Sequence, residues 1–115
     1  MLELHGGAPG VRDEGLLQSA LARPRQLFAY SERPDLIEMA AAYIAGIVQN
    51  HPFVDGNKRT GFIVGVLFLE TNGYSFTALE EDATRAVLDL AAGVLKDKGF
   101  ASWLSSHVKP RRRKR

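Results

Sequence analysis

His51, Asp55, Lys58 and Arg59 fall within one nine-residue run, His51-Pro52-Phe53-Val54-Asp55-Gly56-Asn57-Lys58-Arg59, just ahead of a long apolar segment. An imidazole can accept a proton near neutral pH. A carboxylate offers hard oxygen to Mg²⁺, which is commonly held by one or two carboxylates together with substrate phosphates. Gly56 permits a tight turn and close approach of an anion to the backbone. If the apolar segment is helical, the backbone N–H groups of Asn57, Lys58 and Arg59 lie at the positive end of the helix dipole without intrahelical partners, which suits phosphate. Lys58 adds a mobile point charge and Arg59 a fork able to grip phosphate bidentately. Cations at a helix start are unfavourable on their own, so their placement makes most sense with an anion bound. Residue types and spacing together describe a phosphate-handling site at a helix N-terminus.

Several of these residues have a second reading. Asp55 can cap the helix instead of holding a metal. Pro52 biases His51 away from the α region, and His51 could then merely interact with the last carbonyls of the preceding helix; the residues that follow favour the chemical role. Phe53 reads as an inward anchor for the loop and Val54 as a surface residue, while Thr60 suits phosphate contact and first-turn packing equally. No GxxxxGK[ST] or dinucleotide fingerprint occurs. His5, His51 and His107 are widely separated and lack an HExxH spacing, and there is no Cys, so neither catalytic zinc nor a thiolate nucleophile is expected.

The elements that must position this run read as helices. Gly6 to Gly10 has loop composition, and Asp13 can cap a short helix carrying Leu16, Leu17, Ala20 and Leu21, ended by Pro24, with a further turn around Arg25 to Tyr30. Asp35 and Glu38 have capping-box spacing ahead of a helix running to about Asn50, whose Ala40, Ala41, Ala42, Ala45 and Gly46 allow a close neighbour. The next helix is predicted from Gly56 or Asn57 to Glu70 or Thr71, stopped by Asn72-Gly73. Being apolar on nearly every side, it reads as the central buried helix. Tyr74 to Phe76 can be extended, Thr77 and Glu80 repeat the capping-box spacing before a helix with Ala83, Ala86, Val87, Leu90 and Val94, and a last helix around Ala101 to His107 should dock Trp103 and Leu104. Tyr43 and Trp103 fit core or core-rim positions.

At 115 residues, 45% of them hydrophobic, the chain can bury one core. The expected fold class is all-α, a compact single-domain helical bundle over residues 1–108, with 109–115 a disordered basic tail. Five positive side chains end the chain; without them the formal charge of +2 becomes −3, so the body is mildly acidic and no specific nucleic-acid binding is expected. No apolar stretch approaches the roughly 20 residues needed to span a bilayer and no secretory leader is legible, so a cytoplasmic protein without a membrane role is expected.

These motifs resemble the Fic/Doc superfamily and, within it, the death-on-curing (Doc) toxins of type II toxin–antitoxin modules. The likeness is read over nearly the whole chain: Gly6 to Leu17 is similar to the family's N-terminal loop and helix start, His51 to Thr60 to its core motif, and Leu67 to Tyr74 to its helix end. Fic enzymes that transfer AMP read HPFx[D/E]GNGRxxR, whereas here Lys58 stands in place of the second glycine and Phe62 in place of the last arginine. Both departures match Doc-type proteins, protein kinases that bind ATP in the reversed sense with the γ-phosphate facing the attacking hydroxyl. The resemblance implies ATP and Mg²⁺ as cofactors, His51 as general base, Asp55 as the Mg²⁺ ligand, and Gly56, Asn57, Lys58 and Arg59 around the phosphates. It implies a place for Arg12 at the mouth of the site, in contact with nucleotide or substrate protein, with helix capping and solvation the open alternative. It also implies a threonine of elongation factor Tu as target and a Phd-like antitoxin as partner. Doc proteins carry a whole helix before the Gly-Gly loop, so this first family helix reads as missing, and apolar surface left exposed would be covered by a partner or by a second copy. AMP or other nucleotidyl transfer, and a catalytically inactive toxin-like remnant, stand as alternatives.

Overall fold

The computed structural model describes residues 10–30 and 35–111. Its elements follow in the order α1 (Glu14–Tyr30), α2 (Leu36–Asn50), α3 (Asn57–Thr71), β1 (Tyr74–Phe76), α4 (Glu80–Ala92), α5 (Asp97–Ser105) and β2 (Val108–Pro110). The bundle is mostly helical, as its periodicity predicts, with one two-stranded antiparallel sheet added. No helix among the described residues is long and apolar enough to cross a membrane. The expectations for the loop before Gly10, for the first family helix and for residues 112–115 fall outside the described residues.

Asp35 starts α2 as its spacing predicts, its carboxylate accepting from the N–H groups of Ile37 (2.9 Å) and Glu38 (3.2 Å). α2, not α3, is the central helix. It buries Met39, Ala40, Ala41, Ile44, Ala45, Gly46, Ile47 and Val48, covering most of its circumference. α3 buries only Asn57, Gly61, Gly65 and Leu69, one stripe at four-residue steps, and leaves Ile63 48% and Leu67 56% exposed. The reason is backbone proximity: α3 meets α2 through glycines. A Cβ on Gly61 would lie 3.1 Å from Val48 Cγ2, and one on Gly65 2.5 Å from Ile44 Cδ1 and 3.1 Å from the Ala40 carbonyl oxygen. An all-round apolar composition thus marks a helix that packs by one small-residue face, not a surrounded one.

α1 is one continuous helix through Pro24, where the sequence predicts a break. Proline removes one ladder bond, at a cost of about 3 kcal/mol in a helix interior. That bond would have gone to the Ala20 carbonyl, which here sits against Gly46 of α2, 3.1 Å from where a Cβ would be. Ala20 and Pro24 are both buried at this crossing, and tertiary packing outweighs local propensity.

The capping box expected at Thr77 and Glu80 does not form. Thr77 donates through both its N–H (2.7 Å) and its hydroxyl (2.9 Å) to the His107 carbonyl, closing the small sheet, and α4 begins after Leu79 with no side-chain cap. α5 starts four residues earlier than predicted because Asp97 is held by Arg23 (2.6 Å) and Gln49 (2.8 Å). Leu104 is fully buried, and Trp103 stacks between Phe100 and His107 at centroid distances of 5.7 and 4.4 Å. β2 pairs Val108 with Phe76 and Pro110 with Tyr74, so the expected tail boundary at 109 falls inside a strand. Arg111 continues the order, donating through its backbone to Gly73 (2.7 Å) and through its guanidinium to the Glu70 carbonyl (2.7 Å) at the end of α3.

Candidate functional site

α2 ends on His51, whose backbone is left-handed (φ 52, ψ 53) and whose N–H donates to the Ile47 carbonyl at 3.1 Å. Glycine is the usual residue for such a cap; an L side chain there costs about 1–2 kcal/mol. The surroundings enforce it. Arg12 donates through Nε (2.9 Å) and Nη2 (2.6 Å) to the His51 carbonyl and through Nη2 to the Asn50 carbonyl (3.2 Å). The Pro52 carbonyl accepts from the N–H groups of Arg12 (2.7 Å) and Asp13 (3.1 Å), Val54 N–H donates to Gly10 (2.7 Å), and Val11 and Phe53 form an antiparallel bridge. The segment before α1 is therefore laid alongside the Pro52–Val54 loop, while Asp13 caps α1 through Leu16 N–H at 3.0 Å.

The far end of the loop is fastened by Asn57, which is buried. Its side chain accepts from Phe53 N–H (2.9 Å) and donates to the Phe53 carbonyl (3.0 Å). Residues two apart cannot separate their Cα atoms by more than about 7 Å, so His51 is tied through Phe53 to the first turn of α3. His51 itself is exposed, as are Asp55, Lys58 and Arg59. Gly56 takes φ 72 as the N-cap, and the first helical bond is Thr60 N–H to Gly56 at 2.8 Å. No side chain caps this end, which leaves the N–H groups of Asn57, Lys58 and Arg59 ahead of that bond. Neither Lys58 nor Arg59 forms an ion pair among the described residues.

The structure thus exposes Asp55, Gly56, Lys58 and Arg59 at the opening turn of α3, with His51 exposed at the end of α2, one short loop before it. Asn57 reaches it only by its backbone, since its amide is committed to Phe53. Replacing Asn57 with Ala would strand a partly buried N–H and C=O; the expected loss is about 1–3 kcal/mol of stability, read by urea unfolding, with the loop freed at its α3 end. Arg12 lies at the α2 terminus, its guanidinium on the Asn50 and His51 carbonyls. Asp55 Oδ1 accepts from Gly56 N–H (2.8 Å), leaving its other oxygen available. The described residues hold no cluster of three metal-ligating side chains. One exposed carboxylate beside uncapped helix N–H groups suits Mg²⁺, which keeps waters and takes phosphate oxygens.

Sequence reasoning missed a cavity of about 520 Å³ between α3 and α4, lined by Lys58, Arg59, Phe62, Phe76, Glu80 and Val87 among others. Its walls come from segments far apart in the chain, and no local spacing signals it.

Residues 1–69 match the family model described as Fic/DOC family. The chain is 39% identical over 69 residues to Protein kinase doc of Escherichia phage P1, covering 60% of this chain and 55% of that protein. It is 42% identical over 82 residues to Toxin Doc of Mycolicibacterium smegmatis, covering 70% and 62%. The matches are narrower than the likeness read from the motifs, and the chain spans about 55–62% of the length of these relatives. The family match runs through α1, α2 and the site turn into α3, the elements that carry every candidate residue above: the chain belongs to the Fic/Doc family.

Proposed function

We propose that this protein is a toxin component of a type II toxin–antitoxin module and a protein kinase, transferring the γ-phosphate of ATP to a threonine of elongation factor Tu and so inhibiting translation. The observation that carries the reading is the opening turn of α3, where uncapped N–H groups meet Lys58 and Arg59, one short loop after the exposed His51. The name Protein kinase doc, borne by the phage relative, supports it.

In this reading the turn from Gly56 to Arg59 binds the phosphates, Lys58 and Arg59 neutralise charge that spreads over the transferring group, and His51 takes the proton from the attacking hydroxyl. Phosphoryl transfer asks chiefly for such positioning and charge stabilisation. Bound Mg²⁺ would supply further neutralisation of the phosphates, held by Asp55. The α3–α4 cavity begins at the two cations and is lined by Phe62, Phe76 and Val87, a surface suited to a flat nucleobase. A Phd-like antitoxin, or a second copy of the chain, would cover apolar side chains left exposed on α1 (Leu27, Phe28) and α3 (Ile63, Leu67).

The test is incubation with elongation factor Tu, Mg²⁺ and ATP labelled at the α- or the γ-phosphate. Transfer of the γ label, with a target mass gain of one phosphate, supports the kinase reading; transfer of the α label would point to nucleotidyl transfer. Removing both cations, Lys58→Ala with Arg59→Ala, is expected to weaken ATP binding about tenfold or more, since hydrogen bonds to charged groups contribute about 1.5–3 kcal/mol each. Titration calorimetry reads that change, and both side chains are exposed enough to leave the fold intact.

A further inference from the structure

We propose that Arg12 is a positioning residue for His51, an inference that rests on the kinase reading above. The His51 backbone occupies a conformation that disfavours any side chain, at the one described non-glycine residue with positive φ. Two guanidinium nitrogens converge on the carbonyl of that same residue, and one of them also reaches the carbonyl before it. A planar fork fixes the orientation of what it binds, which a single ammonium cannot do. Rotating the His51 peptide out of the left-handed region would swing its carbonyl away from Arg12 and redirect the Cα–Cβ bond that aims the imidazole. The fork therefore acts on the reacting ring without touching it. It is itself aimed by the bridge between Val11 and Phe53, so the segment before α1 and the loop after α2 set one geometry together.

This role differs from that of a helix cap and from that of a nucleotide ligand, and the experiment separates the three. Arg12→Ala and Arg12→Lys are compared with the unchanged full chain by steady-state kinetics, thermal melting, and NMR of the His51 ring signals and its HN–Hα coupling, with His51→Asn used to assign the ring. Positioning is supported if Arg12→Ala lowers kcat about ten- to a hundredfold, the scale of a misplaced catalytic group, with KM for ATP unchanged, the His51 signals displaced and only partial recovery in Arg12→Lys. A lower Tm with kcat and the His51 signals unmoved overturns it in favour of a plain cap. A raised KM for ATP at constant kcat overturns it in favour of nucleotide contact. If the unchanged chain transfers no phosphate, the kinase reading fails separately, and the His51 signals decide: displaced in both variants they sustain the positioning role, unmoved they end it.

Discussion

Replacing His51 with Asn is expected to lower phosphate transfer by about 10²–10⁴-fold, the usual contribution of a general base, while ATP binding and melting temperature stay nearly unchanged. Asparagine is the informative choice because it tolerates the left-handed conformation that His51 adopts. The carbonyl remains available to Arg12, so the loop keeps its anchor. The side chain is exposed, and surface substitutions of that kind usually shift stability by no more than about 0.5 kcal/mol. A single-turnover assay at saturating ATP, run beside a calorimetric titration, separates lost chemistry from lost binding. Equal rates for the two chains would remove His51 from the reaction.

Gly65→Val carries the largest expected effect on stability. The first added carbon would meet Ile44 Cδ1 at 2.5 Å and the Ala40 carbonyl oxygen at 3.1 Å. Ile44 is fully buried at the centre of the bundle and cannot swing away, and the second obstacle is backbone. Overpacking of this sort costs about 1–3 kcal/mol or more, and the small gain in helix propensity over glycine does not offset it. A fall in Tm of about 10 °C is expected for a domain of this size. Leu67→Ala on the exposed side of α3 is the control, expected to move Tm by far less. In the proposed reading the phosphates sit at the start of α3, so pushing the helix off α2 should also raise the KM for ATP, a coupling that the control lacks.

Much of the candidate turn was legible in sequence because it is local. Gly56, Asn57, Lys58 and Arg59 are consecutive, and a helix start needs no distant partner to present its N–H groups. Asp35 and Glu38 marked α2 for the same reason. The failures share a cause: at Pro24, α1 continues because Ala20 packs on Gly46, and at Thr77 the hydroxyl turns to His107 instead of capping α4. In both, a contact between distant segments outweighed a local preference. The central helix was misplaced because apolar content was read as burial, whereas close packing through Gly61 and Gly65 left Ile63 and Leu67 outside. Arg12 was recognised as polar and near the site, but its bond to His51, 39 residues away, depends on the bridge that only the folded chain forms.

The kinase reading depends most on where the anionic end of the nucleotide sits. Amide NMR of the full chain, titrated with Mg²⁺ and a non-hydrolysable ATP analogue, locates it directly. The largest displacements are expected at the N–H groups of Gly56, Asn57, Lys58 and Arg59, with His51 moved alongside them and the Glu70–Arg111 contact at the far end of α3 unaffected. Saturable binding that leaves those four amides in place and shifts another region would contradict the placement, and the phosphate-transfer role with it.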